Sequence, residues 1–229
     1  MKQSGHYFSE YEKEKICAAV KSAEANTSGE IATMVVPQSS SYREAETLGA
    51  LLLSALLAFI VEGVLEYIAV TNWNDTRLLS ADFFFYGGSL WTFIPMVFLF
   101  FFPLCHLFRR WPLLKLSFTG KRRINEAVRD RAVRAFFEKR LYKTRDENGI
   151  LVFISLLERK VWILGDRGIN EKIPHLAWRG LVKELTQGIR EGVAADSLCS
   201  LISSIGIELE RHFPKKSDDV NELSDNMLT

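Results

Sequence analysis

Four polar residues are the candidates for chemistry in this sequence. Asp166 lies in the segment GDRG at residues 165–168, directly after a short β-rich run. Glu30, Asp146 and Asn148 come from segments that a sheet would bring toward the same place. Their carboxylate and carbonyl oxygens are the ligands that Ca²⁺ and Mg²⁺ prefer in proteins. These residues therefore predict a divalent metal site, with Asp166 as its central carboxylate.

A catalytic role for Asp166 competes with a structural one. As metal ligand or nucleophile, its carboxylate would serve a phosphatase or a related hydrolase. The alternative is that Asp166 shapes a turn through its own backbone. The sequence contains no CxxxxxR loop, no DxDx[TV] signature and no histidine-rich di-metal pattern, and GDRG is too short for a dinucleotide or P-loop fingerprint. Whether the protein is an enzyme stays open on these residues.

The chain before GDRG must form the strands that position Asp166. Residues 150–157 are a near-continuous apolar run, which is typical of a strand buried on both faces. Glu158 and Arg159 are polar where the chain must reverse, and residues 160–164 form a second β-rich run. The glycines of GDRG then predict a flexible loop.

A helix and a further strand come earlier in the chain. Ser9 and Glu12 have the spacing of a capping box, which predicts the start of the first helix. Gly29 is placed to end that helix with a positive φ angle. Residues 30–36, EIATMVV, then predict a strand that Pro37 ends.

Three more helices are predicted after this strand. Residues 121–142 have an apolar stripe opposite a basic face, a second helix follows Pro174, and the last covers residues 192–212. The order of helices and strands predicts an α/β sandwich with helices on both sides of a short mixed sheet.

Two apolar runs between the first strand and the basic helix are long enough to cross a bilayer. They cover residues 48–70 and 83–108, and the polar segment between them contains Trp73 and one cation, Arg77. This pattern predicts a transmembrane hairpin inserted into the soluble domain. Glu62 and Glu66 lie four residues apart in the first run, so they share one helix face. We interpret them as interfacial or as facing the partner helix, with a proton or ion role as the alternative.

Charge supports a membrane orientation and argues against nucleic acid as a partner. Net charge is formally +1, yet the segment 109–145 holds thirteen Lys or Arg and three acids. Cations beside the ends of the spans favour the cytoplasm for both ends of the hairpin. Three cysteines without a CxxC motif are compatible with a reducing compartment. The prediction is thus a multi-pass protein of the cell membrane, in contact with lipid, whose soluble domain faces the cytoplasm.

The soluble domain is therefore predicted to be discontinuous. It covers residues 6–40 and 118–214, and the hairpin occupies residues 48–108. The polar segment 215–229 is predicted to be a disordered tail.

Four segments of this chain resemble the TPM domain family. They are AEANTSGEI (23–31), NGILVFIS (148–155), ERKVWILGDRGI (158–169) and the closing stretch GIREGVAADSLCSLISSIGIELERHFP (188–214). The family takes its name from a thylakoid lumen protein, a photosystem II repair protein and a modulator of a nematode acetylcholine receptor. The likeness is strongest to a branch of bacterial predicted membrane proteins, which implies the inner membrane as the location.

The resemblance implies a Rossmann-like α/β/α domain and two kinds of function. Some relatives are described as acid phosphatases, and some TPM domains hold a metal near the position of Asp166. Others assist the assembly or repair of membrane complexes. The secreted relatives carry a signal peptide and a C-terminal anchor, whereas the anchor predicted here is internal. We therefore expect a binding or assembly factor for membrane proteins, with a metal-assisted phosphatase centred on Asp166 as the alternative.

Overall fold

A computed structural model describes residues 7–72, 88–174, 176–216, 221–223 and 226–228. The chain divides into two compact units. Unit 1 joins Met1–Ser40 to Arg122–Thr229, and unit 2 is Ser41–Lys121. The predicted loop with Trp73 and Arg77, and His175 near the predicted helix start, lie outside the described residues.

Eight helices and three strands form the described part of the chain. In order they are α1 (Glu10–Glu24), β1 (Glu30–Val36), α2 (Arg43–Asn72), α3 (Gly88–Arg110), α4 (Pro112–Ser117), α5 (Lys121–Glu138), a 3₁₀ turn (Leu141–Lys143), β2 (Gly149–Ser155), β3 (Lys160–Gly165), α6 (Arg167–Lys172), α7 (Ala177–Glu191) and α8 (Ala194–His212). The mixed α/β class predicted from the sequence is confirmed.

The three strands form one mixed sheet in the order β1-β2-β3. β1 and β2 are parallel, with Glu30 opposite Gly149, whereas β2 and β3 are antiparallel, with Ile150 opposite Gly165. The reversal between β2 and β3 passes through Arg159, whose φ of 50° is in the left-handed region. β1 has the bounds predicted from the sequence. Successive side chains point to opposite faces of the sheet, and those on both faces are buried and mostly apolar.

Both faces of the sheet carry an apolar cluster. On one face, side chains of β1, β2 and β3 pack with α1, α6, α7 and α8; the fully buried members include Ile16, Val35, Ile150, Leu198 and Ile205. On the other face, the sheet packs against α5, whose buried residues are Val128, Ala132, Ala135 and Phe136. Burial on both faces explains the continuous apolar run in β2.

The first helix begins as its sequence predicts. The Ser9 hydroxyl accepts a hydrogen bond from the Glu12 N–H at 3.2 Å, and the Glu12 carboxylate accepts one from the Ser9 N–H at 2.7 Å. Hydrogen bonds from the Ser9 N–H and the Ser9 hydroxyl to the Glu12 carboxylate hold the pKa of Glu12 below its ordinary value. The prediction for Gly29 was wrong: the helix ends at Glu24, and a Cβ on Gly29 would lie 2.9 Å from Leu209, so glycine here makes room for α8.

In unit 2, α2 and α3 pack against each other through small residues. Ala50, Ser54 and Ala58 recur every four residues on α2 and are fully buried. At Gly49 the helices come so close that an added Cβ would lie 2.8 Å from the Phe108 ring. Close approach at small residues is how helices pack in lipid, where large apolar side chains gain nothing by turning inward. We refer to α2 and α3 together as the helical hairpin.

The large apolar side chains of the helical hairpin point outward. Exposed residues include Leu48, Leu52, Leu56, Phe59 and Ile60 on α2, and Ile94, Phe98, Leu99 and Phe102 on α3. Two segments, Arg43–Leu65 and Thr92–Arg110, are long and apolar enough to span a membrane by length and composition. Small residues inside and large apolar residues outside are the reverse of the arrangement in a soluble core.

The structure describes part of the segment that the sequence predicts as a disordered tail. The described residues 221–223 and 226–228 contact β1, and Leu228 forms a parallel bridge with Met34. Composition suggested disorder because apolar residues are sparse here. The docked residues instead use backbone hydrogen bonds and three apolar side chains, Leu223, Met227 and Leu228.

Candidate functional site

The four candidate residues lie at one edge of the sheet. Glu30 begins β1, Asn148 and Asp146 precede β2, and Asp166 follows β3. Because β3 is antiparallel, this edge is where β1 and β2 begin rather than where they end. Ligands in α/β folds usually bind beyond the carboxyl ends of parallel strands. Asp166 follows the carboxyl end of β3, but the two parallel strands begin at this edge.

Asp166 is the N-cap of α6 rather than part of a flexible loop. Its Oδ1 accepts a hydrogen bond from the Arg167 N–H at 2.8 Å, and its carbonyl accepts one from the Asn170 N–H at 3.0 Å. The second carboxylate oxygen, Oδ2, is buried and has no hydrogen-bond partner among the described residues. Arg167 pairs instead with Glu171 at 2.9 Å, which raises the pKa of Arg167.

Gly168 explains why GDRG begins a helix at this position. A Cβ on Gly168 would lie 2.8 Å from the carbonyl oxygen of Glu147 and 2.9 Å from that of Asp146. α6 can therefore approach the turn before β2 only with glycine here. As a result, the backbone carbonyl oxygens of Asp146 and Glu147 lie near the start of α6, at the same edge of the sheet as Asp166.

Asn148 has one satisfied and one unsatisfied group. Its Nδ2 donates a hydrogen bond to the carbonyl of Ser28, and its backbone N–H donates to Thr144 Oγ1 at 3.1 Å. Its Oδ1 is buried without a partner among the described residues. Asn148 thus connects the residues before β1 to the start of β2, and its Oδ1 is the oxygen that could bind a ligand.

The carboxylates of Glu30 and Asp146 are occupied by protein groups. Glu30 accepts hydrogen bonds from the backbone N–H groups of Glu222 and Leu223, each at 3.2 Å. Asp146 forms an ion pair with Lys216 at 2.7 Å. Both partners belong to the C-terminal segment, so these two acids hold that segment in place.

The predicted metal ligands therefore fit a divalent cation only in part. Asp166 and Asn148 each offer one unsatisfied oxygen, whereas Glu30 and Asp146 are engaged. Among the described residues, no group of three His, Cys, Asp or Glu side chains is placed to hold a metal ion. Ca²⁺ normally takes six to eight oxygen ligands, and no reaction step follows from the two oxygens present.

The opposite edge of the sheet has a polar cluster that sequence reasoning missed. Ser39 Oγ donates a hydrogen bond to Ser155 Oγ at 2.8 Å, Ser155 Oγ donates to Glu158, and Glu158 also accepts from the Ser39 N–H at 2.9 Å. Ser155 is fully buried, so its hydroxyl is closed to a substrate. The cluster connects the segment after β1 to the turn between β2 and β3. Its one signal in the sequence was the polar pair at residues 158–159.

Two carboxylates in unit 2 also have partners. Glu62 accepts a hydrogen bond from Thr92 Oγ1, so it faces the partner helix, one of the positions expected for it. Glu46 at the start of α2 is buried and pairs with Arg109 at 2.6 Å and Lys115 at 2.9 Å. For Glu66 the structure gives the helix but not the surroundings of the side chain.

Comparison with known proteins agrees with this mixed α/β architecture. Residues 119–206 match the family model described as the TPM domain, and this match confirms the resemblance found in the sequence. The NMR structure of the BA42 protein from the psychrophilic bacterium Bizionia argentinensis is similar, with a TM-score of 0.56 and 18% identity over 100% of this chain and 99% of that chain. At this identity the likeness concerns the fold. No curated protein sequence matches the chain.

Proposed function

We propose that this protein is a membrane-anchored TPM-domain protein that binds another membrane protein or complex and assists its assembly or maintenance. The observation that carries the proposal is the arrangement of the helical hairpin. Ala50, Ser54 and Ala58 are buried between the helices, while Phe59 and Phe98 are 70% and 60% exposed. Exposing such an apolar surface to lipid has no free-energy cost, whereas exposing it to water is unfavourable.

The ends of the helical hairpin support the proposed orientation. Arg109, Arg110 and Lys115 lie at the end of α3 and in α4, and Lys121, Arg122 and Arg123 begin α5. Cations next to a span favour the cytoplasmic side, and they also contact anionic lipid at about 1 kcal/mol each. We therefore place the TPM domain at the cytoplasmic surface of the cell membrane, where the tether raises its concentration near other membrane proteins.

Binding is favoured over hydrolysis by the state of the candidate residues. Glu30 and Asp146 hold the C-terminal segment, and Asp166 caps a helix. Each of these roles is structural. The phosphatase alternative gains no support from the described residues.

Membrane extraction and cross-linking test the proposal together. We expect the tagged full-length chain to resist alkaline carbonate extraction and to enrich membrane proteins after cross-linking in cells. The double variant Ser54→Arg, Ala58→Arg places two charges on the buried helix face, so both properties should be lost. The matched control Ala58→Ser keeps a small side chain and should retain both. A wild-type chain that carbonate releases, or repeated captures without an enriched membrane protein, would contradict the proposal.

A further inference from the structure

β1 is an edge strand whose open side is covered by the C-terminus of the same chain. The Val35 N–H donates to the Leu228 carbonyl at 3.1 Å, and the Leu228 N–H donates to the Thr33 carbonyl at 2.8 Å. These bonds make the parallel bridge between Met34 and Leu228. The C-terminus therefore adds to the sheet as a short fourth strand would, since an edge strand offers unpaired backbone groups.

A second anchor lies at the start of the same strand. The Glu30 carboxylate accepts hydrogen bonds from the backbone N–H groups of Glu222 and Leu223. The segment thus runs in the direction of β1, from Glu30 toward Met34. Neither anchor involves a side chain of the segment, so main-chain groups of any extended peptide can occupy both.

The side chains of the segment occupy both faces of the edge. Leu223 and Leu228 pack against the cluster that contains α5, and Met227 packs against the cluster on the other face. Neighbouring residues on opposite faces are a property of an extended strand. All three side chains are half-buried, whereas every residue of β1 is buried.

The segment leaves open space beside the start of β1 and along α1. A cavity of about 300 Å³ lies between Lys21, Glu30, Lys215 and Asn221. A second of about 450 Å³ lies between Glu10, Cys17, Asn226 and Met227. Both have residues of the segment on one side and residues of α1 on the other. A bulkier occupant would therefore gain contacts that the C-terminus lacks.

One buried hydroxyl also lacks a partner at this edge. Thr33 Oγ1 is buried and has no hydrogen-bond partner among the described residues. Thr33 precedes Met34 just as Met227 precedes Leu228, so the bridge sets Thr33 opposite Met227. A hydroxyl or amide side chain at the position of Met227 would satisfy this group, whereas a thioether is a weak acceptor.

We propose that the open edge of β1 is a peptide-docking groove for an extended segment of the membrane partner, and that the described residues 221–223 and 226–228 are its internal competitor. The inference rests on the proposed function and names the surface that carries it. The occupant binds parallel to β1 by strand addition, with two main-chain N–H groups at Glu30 and apolar side chains where Leu223 and Leu228 now lie.

A second copy of this chain is a poorer occupant than a partner. Pro214 bridges Thr27, and the Lys215 N–H donates to the Asn26 carbonyl at 3.2 Å, so the chain is fixed eight residues before Leu223, which binds Glu30. A short tether gives its own C-terminus a millimolar effective concentration. The C-terminus of another copy makes the same contacts without that advantage.

The test uses the full-length chain in detergent micelles and a fluorescein-labelled peptide of residues 217–229. In the variant Leu223→Asp, Leu228→Asp the internal segment is released, and we expect the peptide to bind this variant at least about tenfold more tightly than the wild type, because the internal competitor is gone. A peptide with the same two substitutions is the control and should not bind. Equal binding to both chains, or binding to neither, overturns the proposal.

Amide hydrogen exchange keeps the test independent of peptide affinity. The Val35 amide should be protected in the wild type, should exchange at least about tenfold faster in the released variant, and should regain protection when the peptide is added. A variant that loses protection throughout β2 has unfolded, and Leu228→Ser then replaces the double variant. Val35 protection unchanged by release of the C-terminus would overturn the proposal.

Partner capture separates this inference from the proposed function. Release of the C-terminus should increase the yield of the cross-linked membrane partner. If capture persists but is unaffected by release, the partner binds elsewhere, and the groove assignment fails while the proposed function stands. If cross-links join two copies through their C-termini, the occupant is a second copy and the assignment to a partner is overturned.

Discussion

Glu46 and Arg109 lie 2.6 Å apart, at the start of α2 and the end of α3 respectively. The Glu46 side chain is 7% exposed and also pairs with Lys115, which is 14% exposed. An acid that is buried and paired with two cations becomes costly when its partners are removed. This cluster therefore closes one end of the helical hairpin.

We expect Lys115→Met to destabilise unit 2 by about 3 kcal/mol, because it leaves Glu46 buried with one exposed partner. Thermal unfolding in detergent micelles measures the change. Arg122→Met is the control: Arg122 is 92% exposed in its pair with Glu126, and the loss of such a pair costs at most about 1 kcal/mol. Equal effects of the two variants would contradict a buried ion pair.

The small-residue stripe on α2 gives a second prediction. Ala58→Leu should destabilise the helical hairpin by about 1–3 kcal/mol, since Ala58 is fully buried and a larger side chain must separate the helices. Phe59→Leu is the matched control, because Phe59 is exposed and its replacement leaves the contact between α2 and α3 unchanged. Unfolding in micelles compares them, and a larger effect at residue 59 would reverse the assigned faces.

A glycine pair tests the approach of α6 to the turn before β2. Gly168→Ala should lower stability by more than about 1 kcal/mol, since its Cβ would lie 2.8 Å from a backbone oxygen that cannot move freely. Gly180→Ala in α7 meets no atom within 4 Å and should raise stability by up to about 1 kcal/mol. Thermal unfolding provides both values, and shifts of the same sign would contradict the close approach.

The predicted cation site can be tested at Asp166. The unsatisfied Oδ2 of Asp166 and Oδ1 of Asn148 predict weak binding of Ca²⁺, so millimolar Ca²⁺ should raise the unfolding temperature of the wild type. At a concentration tenfold above Kd the gain is about 1.4 kcal/mol. Asp166→Asn keeps an N-cap residue and should show no such gain. A gain of equal size in this variant, or none in the wild type, would remove Asp166 as a ligand.

Cysteine labelling tests the orientation proposed from charge. In a background without Cys17, Cys105 and Cys199, we expect a cysteine at Asn74, outside the described residues, to react with an impermeant thiol reagent in intact cells. A cysteine at exposed Ser203 in α8 should react only after lysis. The opposite pattern would place the TPM domain on the outer side of the membrane.

Local patterns made most elements predictable. The capping box at Ser9, the bounds of β1 and the reversal after β2 follow from residues close together in the chain. The role of Asp166 did not follow, because the helix it caps depends on Gly168 meeting carbonyls some twenty residues earlier. The docked C-terminus was missed for the same reason: its anchor is Glu30, and sequence composition carries no sign of such a distant contact.

The position of the helical hairpin in the chain has a consequence during synthesis. β1 pairs with β2, and Val36 is separated from Gly149 by roughly 110 residues. At about 5–20 residues per second, a ribosome needs roughly 6–22 s to produce that interval. Throughout this time the nascent β1 has no partner strand. In the proposed membrane topology, the two apolar helices would enter the bilayer during the same interval, so insertion would precede completion of the domain. A delay at the translocon would then expose β1 to chaperones and proteases.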